Sequence, residues 1–150
     1  MSKFYTKITS RLQKFIEAQK IFFIATAPNS GRINLSPKGM DSFRVINENR
    51  VLWLNVTGSG NETAAHLNEN KRITIMFCSF EKVPNILRLY GKGKEIKPND
   101  ATWNKVISLF SETPGTRQIF DITIESAQTS CGMSIPFYEF KGERNDLNNW

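Results

Sequence analysis

The chain has 150 residues, a size that suggests one domain (1–150) around a single core. Hydrophobic residues make up 39% and charged residues 23%, which argues against disorder, and the longest apolar runs are too short to cross a bilayer. The net charge of +6 permits an anionic partner, but the Lys and Arg residues are scattered and no nucleic-acid-binding motif accompanies them.

The apolar spacing first predicts a helical lead-in over about residues 4–20, because Ile8, Leu12, Phe15 and Ile16 form one stripe. Runs rich in β-forming residues then predict strands at 21–27, 32–36, 43–46, 51–56, 72–80, 86–96 and 120–125. Two further helices are expected, at 63–69 and after Asn99 or Asp100, and an irregular tail over about 131–150. This order predicts a mainly β protein with peripheral helices, a small antiparallel barrel.

A glycine-rich segment between a predicted strand and a predicted helix is the most informative stretch. It reads Gly58-Ser59-Gly60-Asn61-Glu62-Thr63. Free amides at a helix start attract anions, glycines allow a phosphate close to the backbone, and Ser59 and Thr63 carry hydroxyl donors. A tight turn with Asn61 as the helix cap is the alternative explanation of the same residues.

Two other segments carry cations in unusual places. Asn34-Leu35-Ser36-Pro37-Lys38-Gly39 ends a strand with a polar break, and Arg88 lies inside a strand between apolar neighbours. Each cation either is exposed to solvent or reaches a phosphate.

The remaining chemistry-bearing residues argue against catalysis by the side chains alone. Cys78, Cys131 and the single histidine, His66, cannot supply a structural zinc site, and His66 has no nucleophile near it in sequence. No metal ligand is therefore predicted, and the sequence leaves the catalytic residues unknown. The first residues contain no stretch of signal-peptide type, so a cytoplasmic protein is expected.

Taken in order, these segments and the tail motif Ser130-Cys131-Gly132 resemble the FMN-binding proteins related to pyridoxamine 5'-phosphate oxidase, from about Ile21 to Trp150. The resemblance implies a six-stranded antiparallel split β-barrel of the FMN-binding type. It also implies a homodimer with FMN at the subunit interface.

The same resemblance implies a set of cofactor-binding residues. These are Ser36, Pro37, Lys38, Gly39, Asn55, Thr57, Ser59, Gly60, Asn61, Glu62, Thr63 and Arg88. Lys38 would lie near the ribityl chain and flavin ring, the segment 55–63 would wrap the phosphate, and Arg88 would face the cofactor from the other subunit.

Two departures from the vitamin-making oxidases bear on function. Glu62-Thr63 stands where those enzymes carry an Arg-Lys pair, and the tail lacks their Arg-x-His substrate motif. We therefore expect an FMN-dependent oxidoreductase with an unknown small-molecule substrate rather than a true pyridoxamine phosphate oxidase. A non-catalytic FMN store, sensor or stress protein is the alternative, and a deazaflavin or haem in the same groove remains open. A nucleic-acid-binding barrel would rest on net charge alone.

Overall fold

A computed structural model describes residues 2–147 and 149, and all the strands in this part of the chain belong to one antiparallel sheet. The strands are β1 (Lys3–Tyr5), β2 (Phe22–Thr26), β3 (Asn34–Lys38), β4 (Phe43–Asn47), β5 (Arg50–Val56), β6 (Arg72–Cys78), β7 (Asn85–Ile96) and β8 (Thr116–Cys131). The helices are α1 (Ser10–Ala18), α2 (Glu62–Asn70) and α3 (Trp103–Ile107). No helix in this part of the chain is long and apolar enough to cross a membrane.

The strand order is β3-β2-β6-β7-β8-β5-β4, with β1 added to β8. Phe22 on β2 and Trp53 on β5 have ring centroids only 6.5 Å apart although three strands separate β2 from β5 in that order. The sheet therefore curves around a shared core, while β3 and β4 remain its two edges. The predicted mainly β split barrel is confirmed, but with eight strands instead of six.

The core follows the alternation that the sequence shows. Phe120, Ile122 and Ile124 on β8 are buried, whereas Thr123 and Glu125 between and after them are exposed. Burying a large apolar side chain contributes about 1.5–3 kcal/mol, so this inner face supplies much of the stability. A second cluster packs beneath α3, formed by Leu52, Leu54, Ile96, Val106, Phe110 and Ile119.

A bulge interrupts the pairing of β7 with β8 opposite Gly91, where Glu125 is the extra residue on β8. The register between β7 and β8 shifts between Tyr90 and Gly91, and a Cβ atom at Gly91 would collide with the carbonyl oxygen of Thr123. Only glycine allows this close approach, so Gly91 permits the bulge.

The prediction of a helical lead-in over about 4–20 is wrong at the start of that range. Residues 3–5 form β1, which pairs with residues 127–129 of β8. This end of β8 lies beyond its pairing with β5, so β1 occupies backbone groups that would otherwise be unpaired. The helix begins only at Ser10, where Thr9 caps it by accepting from the Leu12 amide at 3.4 Å.

Candidate functional site

A groove opens at the split of the barrel, between the end of β3 and the end of β5. It contains a cavity of about 220 Å³. The lining residues come from residues 37–42 and 53–58 and from the loop before β8; they are Pro37, Lys38, Gly39, Met40, Asp41, Ser42, Trp53, Leu54, Asn55, Val56, Thr57, Gly58 and Thr113. Five of the predicted cofactor residues thus line one cavity, and they are Pro37, Lys38, Gly39, Asn55 and Thr57.

Lys38 is half-buried in this groove. Its ammonium nitrogen lies 5.2 Å from the centroid of the Trp53 ring, a cation–π contact. Burial lowers the pKa of Lys38, and the negative charge of Glu62 opposes that shift only in part. A partly desolvated ammonium beside an open cavity gains more from an anionic ligand than an exposed lysine would.

The alternation of β3 sets which of its side chains enter the groove. Asn34, Ser36 and Lys38 are partly buried on one face, while Leu35 and Pro37 are exposed on the other. The side-chain amide of Asn34 donates to the Thr63 hydroxyl at 3.3 Å. This hydrogen bond joins the edge strand to the start of α2.

The loop of residues 57–61, here called the candidate phosphate loop, is held at its base by Thr57. Both the amide and the hydroxyl of Thr57 donate to the Gly115 carbonyl, at 2.7 and 2.9 Å. Thr57 therefore fixes the loop and is not a free donor. Gly58, Ser59 and Gly60 are exposed, and the space around the Gly58 Cα is open.

The start of α2 presents amides to this loop. The first hydrogen bond of α2 runs from the Ala65 amide to the Asn61 carbonyl at 3.3 Å, so the amides of residues 62–64 precede the helical ladder. Asn61 makes no side-chain cap of the helix; its side-chain oxygen instead accepts from Gln118 at 2.7 Å. Asn61 is therefore the N-cap residue of α2, as the alternative explanation had it, but its side chain does not cap the helix, and the amides are available to an anion.

Arg117 is a cation at this loop that sequence reasoning missed. Its Nη1 donates to the Gly60 carbonyl at 3.3 Å. The register of β5 and β8, which pairs Asn55 with Gln118, brings Arg117 there from far along the chain. An isolated arginine at a strand start carries no local sequence signal, so only the strand pairing could have found it.

Glu62 is the carboxylate nearest the candidate phosphate loop. Its side chain folds back onto Gly60, so closely that a Cβ atom on Gly60 would overlap both carboxylate oxygens. An acidic residue in the first turn of a helix is stabilised by the free amides and the helix dipole. A phosphate bound here would therefore have to displace this carboxylate.

Arg88 does not join this cluster within one chain. The register pairs Phe23 with Met76 and Met76 with Arg88, so Arg88 lies on the outer face of the sheet, with Pro37 rather than Lys38. Its Nη1 donates to the Ser130 hydroxyl on the neighbouring strand at 3.1 Å.

The turn after β3 is held in a strained conformation. Met40 has a φ of 60°, in the left-handed region that non-glycine residues rarely adopt, and its side chain lines the groove. Arg44 holds the next residue, Asp41, through both carboxylate oxygens at 2.6 Å, and this contact lowers the pKa of Asp41. The ion pair fixes the turn that positions Met40.

Most of the sequence matches a known family. The model described as pyridoxamine 5'-phosphate oxidase matches residues 8–131. The chain belongs to the pyridoxamine 5'-phosphate oxidase family. The family protein ustO from Aspergillus flavus is 38% identical over 144 residues, covering 93% of this chain. The present chain spans 58% of the length of ustO, which therefore contains additional sequence.

Solved structures show the same fold at lower identity. HupZ from Group A Streptococcus has a TM-score of 0.66 and 20% identity, covering 82% of this chain and 99% of its own. HutZ, a heme storage protein from Vibrio cholerae, has a TM-score of 0.58 and 17% identity, covering 85% and 98%. An FMN-binding protein from Syntrophomonas wolfei has a TM-score of 0.54 and 12% identity, covering 77% and 80%. The fold thus holds more than one kind of flat cofactor.

Proposed function

We propose that this member of the pyridoxamine 5'-phosphate oxidase family binds FMN and acts as an oxidoreductase on a small organic substrate. The observation that carries the proposal is the position of Lys38, which is half-buried beside the groove and close enough to Glu62, at the start of α2, for that charge to act on its pKa. When bound, FMN supplies the redox chemistry, and the protein supplies binding, orientation and charge.

The candidate phosphate loop fits the phosphate end of FMN. This exposed loop carries the Ser59 hydroxyl, the amides of residues 62–64 follow it, and the Arg117 guanidinium contacts its Gly60 carbonyl. Amides at a helix start and a guanidinium are the donors that proteins use for phosphate dianions. Arg117 would take the place of the Arg-Lys pair that this sequence lacks.

Lys38 fits the flavin end of the same ligand. It lies against the Trp53 face and is partly desolvated, so a nearby anionic group would favour its charged form. A fixed ammonium near the flavin ring would stabilise the reduced, anionic form and raise its reduction potential. Ser36 lies on the same inner face of β3, toward the groove.

A homodimer is part of the proposal. The groove cavity of about 220 Å³ is smaller than the roughly 300–1,000 Å³ of pockets that enclose a whole cofactor-sized ligand. A second copy of the chain would supply the missing wall, and the outer sheet face that carries Arg88 and the exposed Leu35 is suited to that contact.

Histidine chemistry favours flavin over haem in this chain. His66 is the only histidine, and it is buried, with its Nδ1 2.9 Å from the Thr26 hydroxyl. This hydrogen bond anchors α2 to β2, so His66 serves to position the helix whose start forms the anion site. A haem that requires an axial histidine finds none free in this sequence.

Titration of the purified chain with FMN and with riboflavin tests the proposal. The two ligands differ only in the phosphate, so FMN should bind at least about tenfold more tightly through charge-assisted hydrogen bonds. Equal affinity for the two flavins would remove the phosphate site. Reduction of the bound flavin by reduced nicotinamides, followed by absorbance, then separates an enzyme from a non-catalytic FMN-binding protein.

A further inference from the structure

A second cavity, of about 740 Å³, lies next to the groove. The two cavities share the wall formed by residues 37–40 at the end of β3. The opposite wall is the irregular tail (residues 132–147), and the floor is the corner between α1 and β2. Any compound in this cavity would therefore lie beside Lys38 and Met40.

Specific contacts hold the tail over the cavity. The amide of Tyr138 donates to the Phe80 carbonyl at 3.3 Å, and the two rings meet edge-on with centroids 5.3 Å apart. Further along, the Lys20 ammonium lies 5.7 Å from the centroid of the Phe140 ring. The tail thus crosses from the β6–β7 loop to the start of β2 and encloses the space between them.

The walls of this cavity are suited to a flat apolar compound. Phe80, Tyr138 and Phe140 surround it, together with Ile21 and Leu147. The side chains of Tyr138 and Phe140 are 68% and 53% exposed, so a ring compound between them would remove apolar surface from water. The volume falls within the range of roughly 300–1,000 Å³ typical of small-molecule sites.

The charges around the cavity disfavour an anion. Four carboxylates line it, outnumbering three cations; they are Glu81, Glu139, Glu143 and Asp146. Of the cations, Lys20 and Lys38 already lie against the aromatic rings of Phe140 and Trp53. A phosphorylated substrate would meet net repulsion here.

We propose that the tail-covered cavity binds a flat, apolar ring compound that is neutral or cationic. This inference rests on the proposed function in one respect only, namely that the compound would be the reaction partner of the flavin. The cavity itself is defined by residues of the tail and the α1–β2 corner, which do not form the candidate phosphate loop.

Fluorescent anthracenes test the proposal on the full chain. Aminoanthracene is neutral and flat, and anthracene sulfonate has the same rings with a negative charge. Aminoanthracene should bind about tenfold more tightly than the sulfonate. The variants Tyr138→Ala and Phe140→Ala should each weaken it about tenfold, because each removes an aromatic wall. The control is Phe137→Ala, which removes a ring that is 78% exposed and outside the cavity lining.

The outcomes separate this inference from the proposed function. The cavity proposal is overturned if the sulfonate binds as tightly as aminoanthracene. It is also overturned if Phe137→Ala and Phe140→Ala reduce the affinity for aminoanthracene equally. The same is true if FMN binds as expected and aminoanthracene does not bind. If aminoanthracene shows the expected pattern and FMN fails to bind, the cavity stands and the FMN proposal falls.

Discussion

The Lys38 ammonium lies 5.2 Å from the Trp53 ring centroid, in a groove that lowers the pKa of this lysine by burial. The free protein therefore begins to lose the Lys38 proton below the ordinary pKa of 10.5. Between the lowered pKa and 10.5, the unfolded chain binds more protons at Lys38 than the folded chain does, so this group makes the free energy of unfolding rise with pH. An anionic ligand beside Lys38 would raise the pKa of this lysine again, so that it keeps its proton to higher pH.

FMN affinity should accordingly fall as pH rises through the lowered pKa of Lys38, since binding takes up a proton there. Dissociation constants measured from about pH 7 to about pH 10 should show this slope in the natural chain. The variant Lys38→Met should bind more weakly at the lower pH and show a flatter dependence. Identical slopes in the two proteins would place the titrating group elsewhere.

Removal of the Glu62 charge should strengthen FMN binding. The carboxylate lies against Gly60, where the phosphate is proposed to sit, so Glu62→Gln removes a repulsive charge. The expected gain is about tenfold for FMN and none for riboflavin. Glu69→Gln is the matched control at the other end of α2, because glutamine keeps the oxygen that accepts from the Asn29 amide.

Arg117 should contribute to phosphate binding. We expect Arg117→Met to weaken FMN binding about tenfold, a value at the low end for a charged hydrogen bond because the side chain is exposed. Riboflavin affinity should not change. Arg11→Met, which removes an exposed arginine from α1, serves as the control. A loss of equal size for both flavins would mean that Arg117 only holds the loop.

Arg88 should affect FMN binding by stabilising the homodimer. It lies on the sheet face opposite to Lys38, so Arg88→Ala should weaken self-association, and FMN affinity should then depend on protein concentration. Sedimentation and FMN titration at several protein concentrations measure both effects. A variant that remains associated but binds FMN weakly at all concentrations would assign Arg88 a direct contact instead.

Gly91→Ala should destabilise the fold by about 2 kcal/mol or more, because the added Cβ meets the Thr123 carbonyl at the bulge. Urea unfolding measures the change. Gly58→Ala is the control, since a Cβ there meets open space and should cost little. If both variants lose the same free energy of unfolding, the backbone at the bulge can shift to accommodate the Cβ atom.

Local sequence patterns predict the strands well, because the alternation of apolar and polar residues and the turn residues that end each strand are close together in the sequence. The failures involve pairing between distant segments. Residues 3–5 contain two aromatic residues but no alternation long enough to indicate a strand; they become one because β8 offers free backbone groups. Pro37 marks a break in the sequence pattern, yet β3 continues through it, since an edge strand needs no amide there.

The residues of the candidate site also differ in whether a local sequence pattern or the pairing of distant strands reveals them. Ser36, Lys38 and the loop 57–61 could be identified from the sequence because each carries its own polar or glycine-rich signal. Arg117 could not, since its place at the loop depends on the register of β5 and β8. The inner or outer orientation of Arg88 likewise follows from the pairing of three strands.

The tail begins after β8, the last strand, and covers the apolar cavity without joining any β-ladder. Insertions, deletions or ring substitutions in residues 133–147 would therefore leave the strand pairing and the barrel core untouched. Residues that shape the cavity can therefore change during evolution without changing the residues on which folding and the neighbouring candidate groove depend.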